Sequence, residues 1–173
     1  MIFRNDRIHL RAPEPDDLDT LFDWENNPSV WKVSGTSSPF SKNTLRNYLD
    51  SIHDIFTDKQ LRLIIQENNG IPIGCVDLFD FDPMNKRAGV GVLIAEVENR
   101  NRGFASDALD IVIEYAFFHL NLHQLYCTIQ TSNKNSIKLF TKKGFKQVGT
   151  FSDWMNTKDG YEDAIFMQLI NHG

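Results

Sequence analysis

The chain has 173 residues, 41% of them apolar and 24% charged, and carries a net charge of −5. That length suits a single domain spanning 1–173, and the balance excludes disordered, collagenous and coiled-coil classes. The acidic surplus argues against a surface for nucleic-acid backbones, which draws on clustered lysine and arginine, and leaves room for a cationic small-molecule partner.

Ile8 and Leu10 alternate with polar neighbours and predict a first strand. Pro13, Pro15 and the pair Asp16-Asp17 then mark a helix start, with Leu18, Leu21 and Phe22 as its apolar face. After a polar stretch at 34–41, Leu45, Tyr48, Leu49, Ile52, Ile55 and Phe56 follow the helical period and predict a second helix. Strands over 61–67, 71–81 and 87–95, with turns at Asn68-Asn69-Gly70 and Asp82-Pro83-Met84-Asn85, predict an antiparallel meander. Ala105, Ala108, Leu109, Val112 and Ala116 share one stripe, opposite Asp107, Asp110 and Glu114, so a long amphipathic helix begins just after Gly103. A strand at 124–130, a short helix over 135–143 stopped by Gly144, and closing strands at 145–151 and 161–170 complete the order β-α-α-β-β-β-α-β-α-β-β.

Residues 1–6 hold no basic segment leading into an apolar run, and no stretch approaches the ~18 apolar residues of a membrane span, so no membrane partner and a cytoplasmic location are expected. Cys75 and Cys127 lie far apart in apolar stretches and read as buried and reduced, and the five histidines lack metal-type spacing, so no metal is expected.

Two segments carry the chemistry. Arg100-Asn101-Arg102-Gly103-Phe104-Ala105 lies between a strand end and the long helix, where unpaired N–H groups and the helix dipole favour an anion. Gly103 admits close backbone approach and Ala105 keeps the first turn open to a bulky ligand. Asn133-Lys134-Asn135-Ser136 is followed by Phe140 and Gly144-Phe145, which locally is an Asn cap, one amphipathic turn and a glycine stop. An R-x-x-G-x-A before a helix and an N-x-x-S with a terminal G-F, in that order and at that separation, resemble the GNAT acetyltransferase family over essentially the whole chain. Its branch of spermidine N-acetyltransferases and ribosomal-protein N-terminal acetyltransferases looks nearest.

The resemblance implies an α/β (α+β) fold with a mixed, mostly antiparallel, twisted sheet, splayed between the fourth and fifth strands, and acetyl-CoA as co-substrate in the split. It places Leu93, Ile94 and Ala95 along the pantetheine, residues 100–105 (Arg100, Asn101, Arg102, Gly103, Phe104, Ala105) on the pyrophosphate, and Asn133, Ser136 and Phe140 on the far side. Many relatives carry a base glutamate where this chain has Gly89 and an acid tyrosine where it has Phe140. Yet an alkyl amine of pKa ~10.4 is almost wholly protonated at neutral pH, at a cost of roughly 4–5 kcal/mol, so a base must help. If the hairpin turns at 82–85, simple pairing sets Asp80 opposite Arg87 and on the face of position 89, which makes Asp80 the first candidate base. Asp77 is the second, and a one-residue bulge would exchange their roles. Tyr126 is a weak candidate acid. Trp24 and Trp31, with Asp77, are candidate acceptor contacts. The expected reaction is direct acetyl transfer to a primary amine, polyamine-like or an amino sugar. Protein N-terminal acetylation and a non-catalytic CoA-binding sensor are the alternatives, and a homo-oligomer is left open.

Overall fold

The computed structural model describes residues 3–34, 38–51 and 53–173. Seven strands form one sheet in the order β1-β2-β3-β4-β5-β7-β6. They are β1 (Ile8–Arg11), β2 (Leu61–Glu67), β3 (Pro72–Asp82), β4 (Arg87–Ile94), β5 (Gln124–Gln130), β6 (Lys146–Thr157) and β7 (Gly160–Ile170). Every neighbouring pair is antiparallel except β4 with β5, which is parallel. The mixed, mostly antiparallel sheet that the resemblance implied is therefore found, with strand bounds close to those predicted for β2 and β5.

The helices are α1 (Leu18–Glu25), α2 (Pro28–Ser34), α3 (Lys42–Leu49), α4 (Ile55–Asp58), α5 (Phe104–Glu114) and α6 (Lys134–Lys142). Where two helices were expected before β2, the described residues form four. The predicted second helix breaks because polar groups stop and restart it. The Ser51 hydroxyl donates to the Tyr48 carbonyl, and the Asp54 carboxylate caps the new start by accepting from the Phe56 N–H (2.8 Å). Ile52, assigned to that helix, lies outside the described residues.

The two sheet faces are covered differently. On one, α5 packs its buried Ala108, Leu109 and Val112 against Val76, Leu78, Ala88, Val90 and Ile94 in the main core. On the other, a smaller core of Leu21, Trp24, Leu45, Leu49, Ile64 and Ala95 seats α1 and α3. Asp17 ties the start of α1 to β1 through a two-pronged pair with Arg11, both contacts 2.7 Å. α5 continues through one π turn over Tyr115–His119, which the Leu120 N–H closes onto the Tyr115 carbonyl (3.0 Å).

Candidate active site

The opening in the sheet follows from its one parallel pair. β4 and β5 share only the rungs Arg87↔Gln124, Ala88↔Leu125 and Gly89↔Tyr126. Beyond Tyr126, β5 stays with β7 as far as Gln130↔Ala164, so β4 and β5 part company. The gap is lined by Val90, Gly91 and Val92 on one wall and by 127–130 on the other, with Ser136 and Phe140 of α6 beside it. It shares Val92, Asn133 and Ser136 with a cleft of about 360 Å³ lined by Leu93, Ile94, Arg100, Asn101, Gly103, Phe104, Ala105, Asn133 and Ser136. The two segments singled out by sequence, which end at Ala105 and begin again at Asn133, thus face one cleft. Ser29, Asn99 and Leu139 also line it; sequence reading missed them, and Ser29 carries no local signal.

At the mouth of α5 the main chain is arranged for an anion. Asn101 (φ 60) and Gly103 (φ 89) are left-handed, while Arg102 between them is not, an alternation that makes the loop concave. The Asp107 N–H is the first to close a helical turn, onto the Gly103 carbonyl (3.0 Å), so those of Phe104, Ala105 and Ser106 have no carbonyl behind them in the helix. Asn133 caps α6, its side-chain oxygen accepting from the Ser136 N–H (3.2 Å).

Two expected coenzyme contacts, Ala95 and Arg102, do not line the cleft, and Arg100, which does, has its side chain already engaged. Ala95 is buried in the smaller core, and its N–H donates to the Ile73 carbonyl, so it cannot serve as a free strand edge. The Arg100 guanidinium donates to the Ile94 and Ala95 carbonyls (3.1 and 3.0 Å) and caps the end of β4. The Arg102 side chain donates to Asn99 (2.7 Å) and lies 4.8 Å from the Phe104 ring centre.

On the face opposite α5 the hairpin carries a bulge. Phe79 pairs with Gly89 and Asp82 with Arg87, leaving Asp80 and Phe81 across from Ala88. Asp80 therefore does not oppose Arg87 as simple pairing implied, and Asp77, opposite Gly91, lies on the face of Gly89. The bulge holds Asp80 at φ 49 and brings its carboxylate to the Tyr126 hydroxyl (3.2 Å), at the last rung before the strands part. Burial first, and then the Asp80 charge, push the Tyr126 phenol up to about 12. Gly89 is not an empty place where a base is missing: a Cβ there would come 2.2 Å from the Phe79 ring, which fills the space.

Asp77 is engaged elsewhere. Arg62 grips it with two contacts (2.8 and 3.0 Å) and reaches Glu25 of α1 (2.5 Å). Burial alone would lower the Arg62 pKa, but these carboxylates outweigh it and raise it further. The sequence signal for this cluster is an arginine inside the apolar run Leu61-Arg62-Leu63-Ile64-Ile65. Trp24, expected at the acceptor, is 6% exposed within the smaller core and is packing. Trp31 is half-buried, its indole donating to the Glu25 carbonyl (2.6 Å). Phe140 is buried edge-on against Phe145 (5.0 Å between ring centres), as an apolar wall of the gap.

Residues 7–146 match the family model described as acetyltransferase (GNAT) domain. The chain is 25% identical over 167 residues to the spermidine N(1)-acetyltransferase of Vibrio cholerae, covering 96% of this chain and 94% of that one. It is 27% identical over 165 residues to the spermidine N(1)-acetyltransferase of Escherichia coli K12, covering 95% and 87%. In fold it is similar to the crystal structure of spermidine N-acetyltransferase from Vibrio cholerae in complex with CoA and spermine, with a TM-score of 0.86, 23% identity and 96% of each chain covered. With the splayed pair, the anion loop and a family match over most of its length, the chain belongs to the GNAT acetyltransferase family and is an N-acetyltransferase.

Proposed function

We propose that this enzyme passes the acetyl group of acetyl-CoA in one step to a primary amine of a polyamine. The observation that carries the reading is the parting of β4 and β5 after three rungs, beside a helix N-terminus with free N–H groups. These residues fit the coenzyme: the gap suits a slender thioester arm, and the loop at 101–106 suits a diphosphate. Gly103, Phe104 and Ala105 would hold the diphosphate through the main chain, Leu93 and Ile94 would flank the arm, and Asn133 and Ser136 would border it across the cleft.

Asp80 is the residue we assign to receive the amine's proton, directly or through a water. It stands at the vertex of the gap, and unlike Asp77 it has no cation gripping it with two bonds. Tyr126 donates to Asp80 and orients it. A phenol pushed up to about 12 is a poor acid toward a thiolate of pKa ~8.5, and so weakly basic a sulfur can leave as the thiolate and take its proton from bulk solvent afterwards. Burial pushes the Cys127 thiol in the gap up to about 12, which keeps it protonated and unsuited to carry an acyl group. The polyamine acceptor rests on two relatives named spermidine acetyltransferases, 25% and 27% identical along nearly the whole chain.

The test is thiol release from acetyl-CoA across spermidine, spermine, amino sugars and N-terminal peptides. Saturable turnover with the polyamines alone supports the reading, and turnover confined to peptides would replace the acceptor by a protein N-terminus.

A further inference from the structure

We infer that Arg7, which precedes β1 and lies almost a hundred residues from the anion loop, is a positioning residue for the coenzyme's diphosphate. Its Nη2 donates to the Arg102 carbonyl (2.6 Å), its Nη1 lies 3.1 Å from Asp107 Oδ2, and its guanidinium sits 4.6 Å from the Phe104 ring centre. One side chain therefore touches the loop, the first residue of α5 and a carboxylate in that helix's first turn.

Each contact acts on the cradle. The Arg102 carbonyl and the Gly103 N–H belong to one planar peptide and point in opposite directions. Holding the carbonyl toward Arg7 fixes the Gly103 N–H away from it, and Gly103 itself lines the coenzyme cleft. Asp107 is the second element. Its Oδ2 is buried without a hydrogen bond, and a bare carboxylate there would oppose an anion at the same helix end. Arg7 is the cation within ion-pair distance of it. The Arg7 backbone is itself anchored, since the Asn5 side-chain oxygen accepts from the N–H groups of Arg7 and Ile8 (both 2.9 Å). The guanidinium is thus presented by a fixed turn.

Arg7 does not line the cleft, so its effect passes through the loop. CoA titrated by calorimetry into wild type, Arg7→Ala, Arg7→Lys and Arg7→Ala/Asp107→Asn tests this, with a thermal melt of each. For Arg7→Ala the expected result is about tenfold weaker CoA binding with a melting temperature close to wild type. Arg7→Lys should fall between, and Asp107→Asn in the Arg7→Ala background should recover part of the loss. Unchanged CoA binding in Arg7→Ala overturns the inference. So does weaker binding that tracks a lowered melting temperature and is not relieved by Asp107→Asn, which would mark Arg7 as a brace of the fold only. CoA binding needs no acceptor, so this test stands or falls apart from the polyamine reading.

Discussion

On the α5 side of the cleft, the groups left without helical partners are main-chain N–H groups, while the nearby arginines bond to carbonyls or pack on Phe104. On the sheet face opposite α5, the polar groups are side chains that answer one another: Arg62 with Asp77 and Glu25, Arg87 with Asp82, Tyr126 with Asp80. The proposed coenzyme wall should therefore tolerate loss of side chains other than Arg7, which holds its backbone, and fail where the backbone is forced. The acceptor wall should behave the opposite way.

The sharpest test of the second half is Arg62→Leu, which strands two half-buried carboxylates. A loss of about 3 kcal/mol or more in urea unfolding is expected, and a loss under half of that would mean the cluster is wetter than its packing indicates. Asp80→Asn should lower kcat about a hundredfold with CoA affinity intact in calorimetry; equal loss of both would remove Asp80 from proton transfer. On the coenzyme wall, Gly103→Val puts a branched side chain at φ 89 with its Cβ 3.2 Å from Arg7, and about tenfold weaker CoA binding is expected. Arg102→Ala, by contrast, should cost only about two- to threefold, since its side chain faces Asn99 and Phe104; a large loss would break the comparison.

The smallest expected effect is with pH. Burial would raise the Asp17 carboxyl, but hydrogen bonds from Arg11 and the Glu14 N–H outweigh it and hold it below its usual range. A lowered folded pKa gives stability that is present above the unfolded value of ~3.9 and lost as pH falls through the folded one. Acid unfolding below about pH 4 should thus be less steep in Asp17→Asn, as followed by circular dichroism.

The same contrast governs what could be read beforehand. The loop at 100–105 and the Asn133 cap are local devices, so glycine and asparagine at fixed spacing announce them. Periodicity likewise gives the strands and α5, because one-sided burial imposes it. The acceptor wall depends on register, and the bulge opposite Ala88 shifts it by one residue, which no spacing in the hairpin reveals. Trp24 reads as a pocket residue until Leu21, Leu45 and Ile64 are seen around it. Arg7 joins the loop only through the fold.

The ring of Phe79 lying in the place of a side chain at position 89 couples two strands in a further sense. A carboxylate at Gly89 would force the Phe79 ring to move, and shortening Phe79 alone opens a void beside the vertex of the gap. The two positions must change together. Once a lineage has adopted the large-small pair, each single step back passes through a poorer enzyme, so the exchange acts as a ratchet. Chains that carry the pair should draw a carboxylate from elsewhere, as Asp80 is assigned to be here, and in a set of related sequences a bulky residue at either position should exclude one at the other.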